Sequence, residues 1–384
     1  MWKIKNGKRY RLKMKIGFIT TIDTNIGDDF IRQGIVNILE SAYPDKNLKF
    51  VSVNKHLPDT AYPSWHILHY ATKPTGIRGG NRFLALFKKH LVKLGGSKFD
   101  GCDLIIQSGA PVLWPNCQEC EWNIPIWQEI IGRLYTKIPV FNIAAGSCYP
   151  WENQPETFPS RGEEEYAKMI GNLCHLTTTR DRLSHALFKK VGIQNTILPC
   201  TAFFVDKHFT NDNSKDYILI NYMAGGGHFN WGQNINKQSW EETMKKVIDD
   251  LKTKSEVRFI CHDEKEVQLA SQLDPRLKIH YPKSVSEYLE CIRHAKLGIN
   301  NRMHASVAMA SVGVPSISIC TDTRLLMLDN LQLPIFYVKD ISASQLISES
   351  DKLLSKAKNE KERLFNLKKR SFVTYQELFK KTFN

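Results

Sequence analysis

Residues 295–320 restrict the fold of this chain more than any other segment. Residues 295–299 have a short pattern typical of a buried strand, and the small and apolar residues after Met303 predict a helix packed closely on a sheet. Gly313 ends that helix, and residues 314–320 predict a second buried strand. Two strands joined by a crossover helix form a βαβ unit, so we expect a parallel sheet.

The same alternation of strand, polar or glycine-containing turn and helix recurs along the chain. Further strands are predicted at residues 14–21, 50–53, 102–107, 138–144, 177–179, 217–221 and 257–261. Because a polar, turn-rich linker at residues 206–216 divides the series, we predict Rossmann-like α/β domains at residues 14–205 and 217–384. Two such domains facing a cleft would give a GT-B-like architecture. Residues 1–13 are strongly basic and are predicted to form an N-terminal arm.

Composition narrows the class of protein. With 42% apolar and 24% charged residues, the chain has the balance of a globular protein. No apolar run approaches the ~20 residues that cross a bilayer, and the basic N-terminus lacks the apolar segment of a secretory signal. Nine cysteines without such a signal predict reduced thiols and a cytoplasmic location.

Residues 60–99 contain no acidic residue, and apolar residues between Phe83 and Leu94 recur at helical spacing opposite lysines. This pattern is typical of a basic amphipathic helix that lies on an anionic membrane, here the inner face, or over an anionic substrate. A solvated lysine face on an ordinary packed helix explains it equally well. We predict no nucleic-acid partner, because no recognition motif accompanies the charge.

Cys117 and Cys120 form a C-x2-C pair, which invites comparison with zinc sites. No second pair of cysteines or histidines follows at zinc-finger spacing, so only half a site is visible. We therefore predict no metal.

Arg302 and His304 lie at the turn between the strand at 295–299 and the following helix. Ligands collect at this edge of a parallel sheet, because helix N-termini present unpaired N–H groups and a positive dipole end. An arginine and a titratable histidine at such a turn can hold an anion and move a proton. The alternative is a surface arginine beside a histidine that caps the helix.

Other strand ends carry small or polar residues that would reach the same edge. Asn25 and Asp28 follow the first strand, where they either cap the next helix or contact sugar hydroxyls. The remaining residues at strand ends are Ser108, Gly109, Ser147, Arg180 and His262. Small residues there let backbone N–H groups approach a ligand closely.

Taken in order from about residue 14 to 335, these segments resemble the polysaccharide pyruvyl transferase family. The matches are Asn25-Ile26-Gly27-Asp28 to an N-x-G-D motif, Gln107-Ser108-Gly109 to a strand ending in a glycine turn, Arg180-Asp181-Arg182-Leu183-Ser184 to an R-D-x-x-S segment, Cys261-His262-Asp263 loosely to a histidine turn, Arg302-Met303-His304-Ala305 to R-L/M-H-A, and Gly313-Val314-Pro315 to a G-x-P strand. The chain departs from the family at Leu198-Pro199-Cys200-Thr201, where an Asp-Pro pair is common, and at Ser108-Gly109-Ala110-Pro111, where the glycine run is shorter.

The resemblance implies transfer of a pyruvyl group from phosphoenolpyruvate to two hydroxyls of a cell-surface glycan sugar, forming a cyclic ketal without a cofactor. It places the donor on Arg302 and Arg180, with His262 and Asn301 nearby, because arginine binds carboxylate and phosphate bidentately. His304 is expected to protonate the methylene carbon, and its protonated form would need the negative charge of the donor nearby. The expected acceptor contacts are Asn25, Gly27, Asp28, Ser108, Gly109 and Ser147.

Two other functions remain open at this point. A GT-B glycosyltransferase with a nucleotide-sugar donor would need the same cleft, but it would bind UDP or GDP. A non-catalytic binder of anionic glycan or lipid would act through residues 60–99, so it would tolerate His304→Ala and fail when Lys88, Lys89 and Lys93 are neutralised. The acceptor could be lipid-linked, free or polymeric, and the sequence makes no prediction of oligomeric state.

Overall fold

The computed structural model describes residues 2–5, 8–22, 25–71, 91–109, 111–211, 213–229 and 231–383. Its strands are β1 Trp2–Lys5, β2 Lys8–Thr20, β3 Lys46–Asn54, β4 Leu104–Ser108, β5 Pro111–Leu113, β6 Val140–Ser147, β7 Leu176–Thr179, β8 Thr196–Ile197, β9 Tyr217–Asn221, β10 Glu256–Ile260, β11 Lys278–His280, β12 Ala295–Asn300, β13 Ser316–Cys320 and β14 Ile335–Tyr337. In the described residues they make two sheets, β1–β8 and β9–β14.

Helices cover these sheets and connect their strands. They are α1 Ile26–Ala42, α2 Ile67–Ala71, α3 Gly132–Leu134, α4 Arg161–Leu173, α5 Arg182–Lys190, α6 Lys237–Lys252, α7 Glu264–Leu273, α8 Val285–Arg293, α9 Met303–Ser311, α10 Ala343–Ser355 and α11 Ala357–Phe383. Short 3-10 turns occur at Pro58–Ala61, Cys117–Glu119, Thr201–Phe204, Ala224–Gly226 and Thr323–Leu331, and residues Asn123–Ile131 form a π-helix.

The two sheets have related topologies. The first runs β3-β2-β4-β6-β7-β8 with parallel pairing, while β1 pairs antiparallel with the start of β2 and β5 pairs with the end of β6. The second runs β11-β10-β9-β12-β13-β14 and is parallel throughout, which is the strand order of the Rossmann fold. The switch in strand order between β9 and β12 opens a crevice at the carboxyl edge of that sheet. The turn that carries Arg302 and His304 lies at this crevice.

Small residues let α9 pack closely on the second sheet. Ala305, Ala308 and Ala310 are completely buried, and Gly298 of β12 leaves room for the Met309 side chain. Gly313 ends the connection with a φ of +73°, a left-handed conformation that glycine adopts without strain. This βαβ unit therefore forms as its sequence predicts.

The N-terminal boundary differs from the prediction. Instead of an arm at residues 1–13, the backbone forms a hairpin of β1 and β2, and β2 pairs with β3 from Leu12 onward. Basic residues alternate with Tyr10, Leu12 and Met14 in this segment, which is the two-faced pattern of a strand. The run of charges favours an arm, whereas the alternation favours the strand that the structure shows.

The C-terminal boundary also differs, because α11 returns to the first domain. Tyr375 donates a hydrogen bond to the carbonyl of Pro199 (2.9 Å), and Tyr43 of α1 donates to the carbonyl of Phe379 (3.0 Å). The last helix therefore ties the two domains together. None of the helices in the described residues is long and apolar enough to cross a membrane, and the basic amphipathic helix predicted near residues 83–94 lies largely outside those residues.

Candidate active site

A cavity of about 610 Å³ lies where the carboxyl edges of the two sheets meet. The predicted residues that line it are Asn25, Asp28, Arg180, Arg302 and His304. Other lining residues were not predicted, and the most informative of them are Lys55, Trp114, Trp122, His228, Phe229 and Arg324. Residues far apart in sequence therefore meet in one cleft between the domains.

Arg180 is a buried cation of this cavity with little compensation from the described residues. Its residue is completely buried, and among the described residues its Nε and Nη2 atoms have no hydrogen-bond acceptor. The side chain makes no ion pair in this part of the structure, and its Nη1 lies 3.3 Å from Nε2 of His304. A buried guanidinium with open donors is expected to bind an anion, because burial without a partner is costly.

The rest of the R-D-x-x-S segment explains how Arg180 is positioned. The Asp181 carboxylate caps α5 by accepting from the backbone N–H of Ser184 (2.7 Å) and also accepts from the N–H of Ser147 (2.8 Å). A Cβ on Gly146 would lie 2.3 Å from Arg180 Nε. The glycine at the end of β6 therefore makes room for the guanidinium.

His304 lies in the first turn of α9, against both Arg180 and α1. Because Arg180 donates toward Nε2, the neutral ring carries its proton on Nδ1. Burial holds the pKa of His304 well below 6.5, and the positive charges of Arg180 and Arg324 lower it further. The ring is therefore neutral while the cavity is empty, and a bound anion would raise its pKa.

The N-terminus of α9 is open toward the cavity. Its N-cap residue, Arg302, makes no side-chain capping hydrogen bond, in contrast to the N-cap side chains of α5, α7 and α8. Unpaired N–H groups and the helix dipole at such an end favour negative charge. This end lies beside His304, so the same anion can contact both.

The Arg302 guanidinium is already paired with two carboxylates. Its Nε donates to Glu266 (2.5 Å) and its Nη2 to Asp263 (2.7 Å), and its backbone N–H donates to Asn221 (2.9 Å). The preceding Asn301 cross-links the turn through the N–H of Met223. Arg302 thus lines the cavity, but most of the hydrogen bonds described for it stabilise the turn.

Arg324 is a cavity residue that the sequence analysis missed. Its Nε and Nη2 donate to the completely buried Asp322 carboxylate at 2.8 and 2.7 Å. Its guanidinium also lies 4.9 Å from the centre of the Phe229 ring. Arg324 lies four residues after the end of β13, and this nearness to a strand end is a signal in the sequence, since other site residues also follow strand ends.

The N-x-G-D segment lies opposite, at the start of α1. Asn25 caps this helix by accepting from the N–H of Gly27 (2.9 Å), which is the structural alternative considered for it, and it also lines the cavity. Gly27 faces His304, since a Cβ there would lie 2.8 Å from Nδ1. Burial raises the pKa of the Asp28 carboxyl, and Lys55 and Arg180 partly offset this.

Besides Gly27, three of the predicted acceptor residues do not line the cavity. The Ser108 hydroxyl donates to the carbonyl of Ile19, and Gly109 packs against Ala144. The buried Ser147 hydroxyl lies 2.9 Å from that of Thr323, so it joins the two domains. All three have structural contacts where we expected substrate.

His262 lines a small second cavity that adjoins the first. Arg302 and His304 line this second cavity as well. Nε2 of His262 is 3.0 Å from the Tyr288 hydroxyl, while its Nδ1 has no partner in the described part of the chain. Burial lowers its pKa to about 3, and Arg302 contributes to the shift. It is therefore a neutral residue behind the turn that carries Arg302 and His304.

The cysteine pair is divided between core and cavity. Cys117 is completely buried, and burial raises its pKa to about 12, whereas Cys120 lines the cavity and lies 3.5 Å from the Tyr166 hydroxyl. Within the described ranges, no group of three or more histidine, cysteine or acidic side chains is arranged to hold a metal ion.

Solved structures with the same overall fold include three bacterial sugar-nucleotide proteins. UDP-GlcNAc 2-epimerase from Neisseria meningitidis bound to UDP-GlcNAc is 13% identical with a TM-score of 0.53, covering 96% of this chain and 100% of that chain. A putative UDP-N-acetylglucosamine 2-epimerase from Listeria monocytogenes is 12% identical with a TM-score of 0.52, and the match covers 93% of this chain and 91% of that chain. MnaA from S. aureus in a structure with UDP is 12% identical with a TM-score of 0.51, and the match covers 92% of this chain and 90% of that chain. At these identities the likeness concerns the fold alone, and the predicted GT-B-like architecture is confirmed.

The sequence also matches a known family. No curated protein matches the chain. A family model described as polysaccharide pyruvyl transferase matches residues 25–322, well over half of the chain, and this stretch contains Arg180, Arg302 and His304. Together with the cleft that these residues line, the match confirms the predicted resemblance: the chain belongs to the polysaccharide pyruvyl transferase family.

Proposed function

We propose that this protein transfers the pyruvyl group of phosphoenolpyruvate to two hydroxyls of a sugar in a cell-surface glycan, forming a cyclic ketal. Family membership supports a transferase that acts in polysaccharide synthesis. The phosphoenolpyruvate donor and the ketal product go further: the resemblance implies them, and the positive charge in the cavity supports an anionic donor. No resident cofactor is part of the proposal.

Arg180 is the observation that carries the proposal. It is completely buried, lines the cavity and has two guanidinium nitrogens without acceptors in the described residues. Phosphoenolpyruvate carries a carboxylate and a phosphate, so it needs fixed positive charge that cannot be lost by deprotonation. Arginine meets that requirement, and the open N-terminus of α9 supplies a second anion-binding element on the same side.

Arg302 and Arg324 have supporting parts in this proposal. Each is paired with acid, Arg302 with Asp263 and Glu266 and Arg324 with Asp322, so neither presents a full uncompensated charge. They keep the potential of the cavity positive and fix the turns on which the donor lies. We therefore propose that Arg180 makes the principal donor contact and that Arg302 positions the turn.

His304 is proposed to act as the general acid. The ring is neutral in the empty cavity because burial and two arginines depress its pKa. The donor brings negative charge beside it, which raises that pKa and loads a proton when the donor binds. Proton delivery is thereby coupled to the presence of the donor.

The reaction then proceeds in two balanced steps. His304 delivers its proton to the methylene carbon while a sugar oxygen bonds to the adjacent carbon, and the proton of that hydroxyl passes to Asp28. The carbon–oxygen bond to phosphate then breaks, with its electron pair leaving on phosphate. The second hydroxyl attacks the oxocarbenium-like centre and gives its proton to the departing phosphate, after which Asp28 and His304 exchange protons with solvent.

A thermal-shift titration with phosphoenolpyruvate, UDP and GDP tests the donor. A ligand that binds only the folded state stabilises it by about 2.7 kcal/mol at a hundredfold excess over its dissociation constant. The proposal expects a shift with phosphoenolpyruvate that is lost in Arg180→Met and kept in Arg161→Met, whose side chain is exposed on α4. A shift with UDP or GDP instead would favour the nucleotide-sugar glycosyltransferase. The absence of a melting-temperature shift with phosphoenolpyruvate, even when sugar acceptors are present, would contradict the proposal.

A further inference from the structure

Lys55 is a buried ammonium in the cavity without a hydrogen-bond acceptor. The residue is 4% exposed and lines the cavity, yet in the described part of the chain Nζ donates no hydrogen bond. Its contact is with the Trp122 ring, whose centre lies 4.6 Å away. The free-energy cost of burying an ammonium group is normally offset by a close carboxylate or by several oxygen acceptors. The open donors of Lys55 therefore call for oxygen atoms that the protein does not supply.

The backbone fixes Lys55 at the same sheet edge as the rest of the site. It directly follows β3, and its N–H donates to the carbonyl of Thr20 at the end of β2 (2.8 Å). Its side chain therefore enters the cavity from the first domain, near Asp28. The turn with His304 belongs to the second domain, whereas Arg180, the proposed donor contact, belongs to the first domain like Lys55.

Residues 114–122 form the wall next to Lys55. Trp114 and Trp122 lie with ring centres 5.6 Å apart, and Glu119, Cys120 and Glu121 also line the cavity here. Immediately afterwards the chain forms the π-helix Asn123–Ile131, a rare conformation often found at functional sites. The 114–122 wall thus combines an aromatic surface with carboxylates.

These groups together match the surface of a sugar ring. A pyranose has an apolar C–H face that packs on an indole and a rim of hydroxyls that accept from an ammonium and donate to carboxylates. On this side of the cavity Lys55 is set against the carboxylates of Asp28, Glu119 and Glu121, of which Glu121 is already bonded to His56 Nδ1 (2.7 Å). The excess of negative charge disfavours an acidic sugar.

We propose that Lys55 and the 114–122 wall form the acceptor subsite, and that this subsite takes an uncharged pyranose. Lys55 donates to hydroxyl oxygens of the ring, Trp114 packs on its apolar face, and Asp28 accepts from the hydroxyl that attacks. This assignment rests on the proposed function for the reaction, but binding of the ring can be measured without turnover. Lys55 is a positioning residue for the acceptor and does not contact the donor.

Two properties of Lys55→Met separate this role from a structural one. Lys55 Nζ has no hydrogen bond within the described residues to lose, while its charge partly offsets the burial of Asp28, so the melting temperature should change little. Affinity for the sugar should fall about tenfold or more, because hydrogen bonds from a charged donor are lost. A residue that only stabilises the fold would show the reverse, with a lower melting temperature and unchanged sugar binding.

The experiment is saturation-transfer NMR on the full chain with phosphoenolpyruvate present. The probes are the methyl glycosides of galactose, glucose and N-acetylglucosamine, with methyl glucuronide as the acidic comparison. Lys55→Met and Trp114→Ala are compared with the wild type and with Lys137→Met, an exposed lysine outside the cavity. We expect signals from at least one uncharged glycoside, weaker signals from the glucuronide, and loss in both cavity variants but not in the control.

Three results would overturn the subsite. They are stronger binding of the glucuronide, unchanged glycoside signals in Lys55→Met, and failure of every uncharged glycoside to bind the wild type. A separate titration of phosphoenolpyruvate distinguishes failure here from failure of the proposed function. Weaker binding of phosphoenolpyruvate by Lys55→Met would place Lys55 in the donor site instead. If the wild type binds phosphoenolpyruvate but none of the sugars, the acceptor subsite is wrong and the proposed donor still stands.

Discussion

Nη1 of Arg180 lies 3.3 Å from Nε2 of His304, although the two residues are 124 positions apart and belong to different domains. The contact couples the cation that would hold a donor to the ring that would protonate it. Arg180 follows β7 of the first sheet, and His304 begins α9 over the second. The contact therefore exists only when the two domains are together, and what holds the domains together also sets the geometry of the proposed site.

Replacement of Arg180 should abolish donor binding without harming the fold. In Arg180→Met the affinity for phosphoenolpyruvate should fall about tenfold or more, because a charge-assisted fork is lost, while the melting temperature stays level or rises. Isothermal titration and thermal melts measure the two effects. Arg161→Met, which changes an exposed arginine, is the control. Unchanged affinity in Arg180→Met would show that the donor is held elsewhere.

Gly27→Ala should impair turnover more than stability. The new Cβ would lie 2.8 Å from His304 Nδ1, so the ring has to shift and its contact with Arg180 changes. A displacement of this kind can cost about a hundredfold in rate. Gly132→Ala is a matched helical control, since its nearest contact would be an ordinary 3.6 Å. A Gly27→Ala enzyme with normal turnover would mean that the ring position is not critical.

Lys368 is expected to fix the domains in their relative positions. It is completely buried, and Nζ donates to the carbonyls of Asp206, His208 and Ser311 at 2.6, 2.5 and 2.8 Å. Lys368→Met leaves three carbonyls without this donor, so the free energy of unfolding should fall by at least about 2 kcal/mol. The neighbouring exposed Lys369→Met is the control, and chemical denaturation is the measurement. Equal stability of the two variants would exclude a role for Lys368 in holding the linker.

His262 should make the protein less stable in acid. Its folded-state pKa of about 3 lies below the ordinary 6.5, so the unfolded state binds the proton first as the pH falls. Stability from this residue is complete above pH 6.5 and is lost between pH 6.5 and 3, at up to about 1.4 kcal/mol per pH unit. Denaturation across this range should give a shallower slope for His262→Gln. An unchanged slope would assign the acid sensitivity to other groups.

Much of this architecture could be predicted because its signals are local. The apolar run of β12, the small residues of α9 and the polar residues at strand ends identified both the fold and the turn with Arg302 and His304. Lys55 gives no such signal, since a single lysine after a strand resembles any surface lysine. Its burial depends on Trp122, which lies far away in sequence, and only the tertiary structure brings the two together.

Local patterns also cannot report what a side chain already contacts. Arg302 was expected to hold the donor, but Glu266 and Asp263 lie within hydrogen-bond distance of it. Ser147 was expected to contact the acceptor, but its hydroxyl is engaged by Asp181 and Thr323. Arg180 gained importance for the opposite reason, because no carboxylate pairs with it in the described residues.

The coupling of donor and proton is tested most directly by measuring proton uptake when phosphoenolpyruvate binds. Isothermal titration in buffers of different ionisation enthalpy gives the number of protons taken up per ligand. His304 is neutral in the empty cavity, and the bound anion should raise its pKa, so the wild type should take up more protons than His304→Gln, by up to about one per ligand. The affinity of the wild type should also rise as the pH falls toward the pKa of the complex. Equal uptake by the two proteins, or no binding of phosphoenolpyruvate at all, would contradict the account.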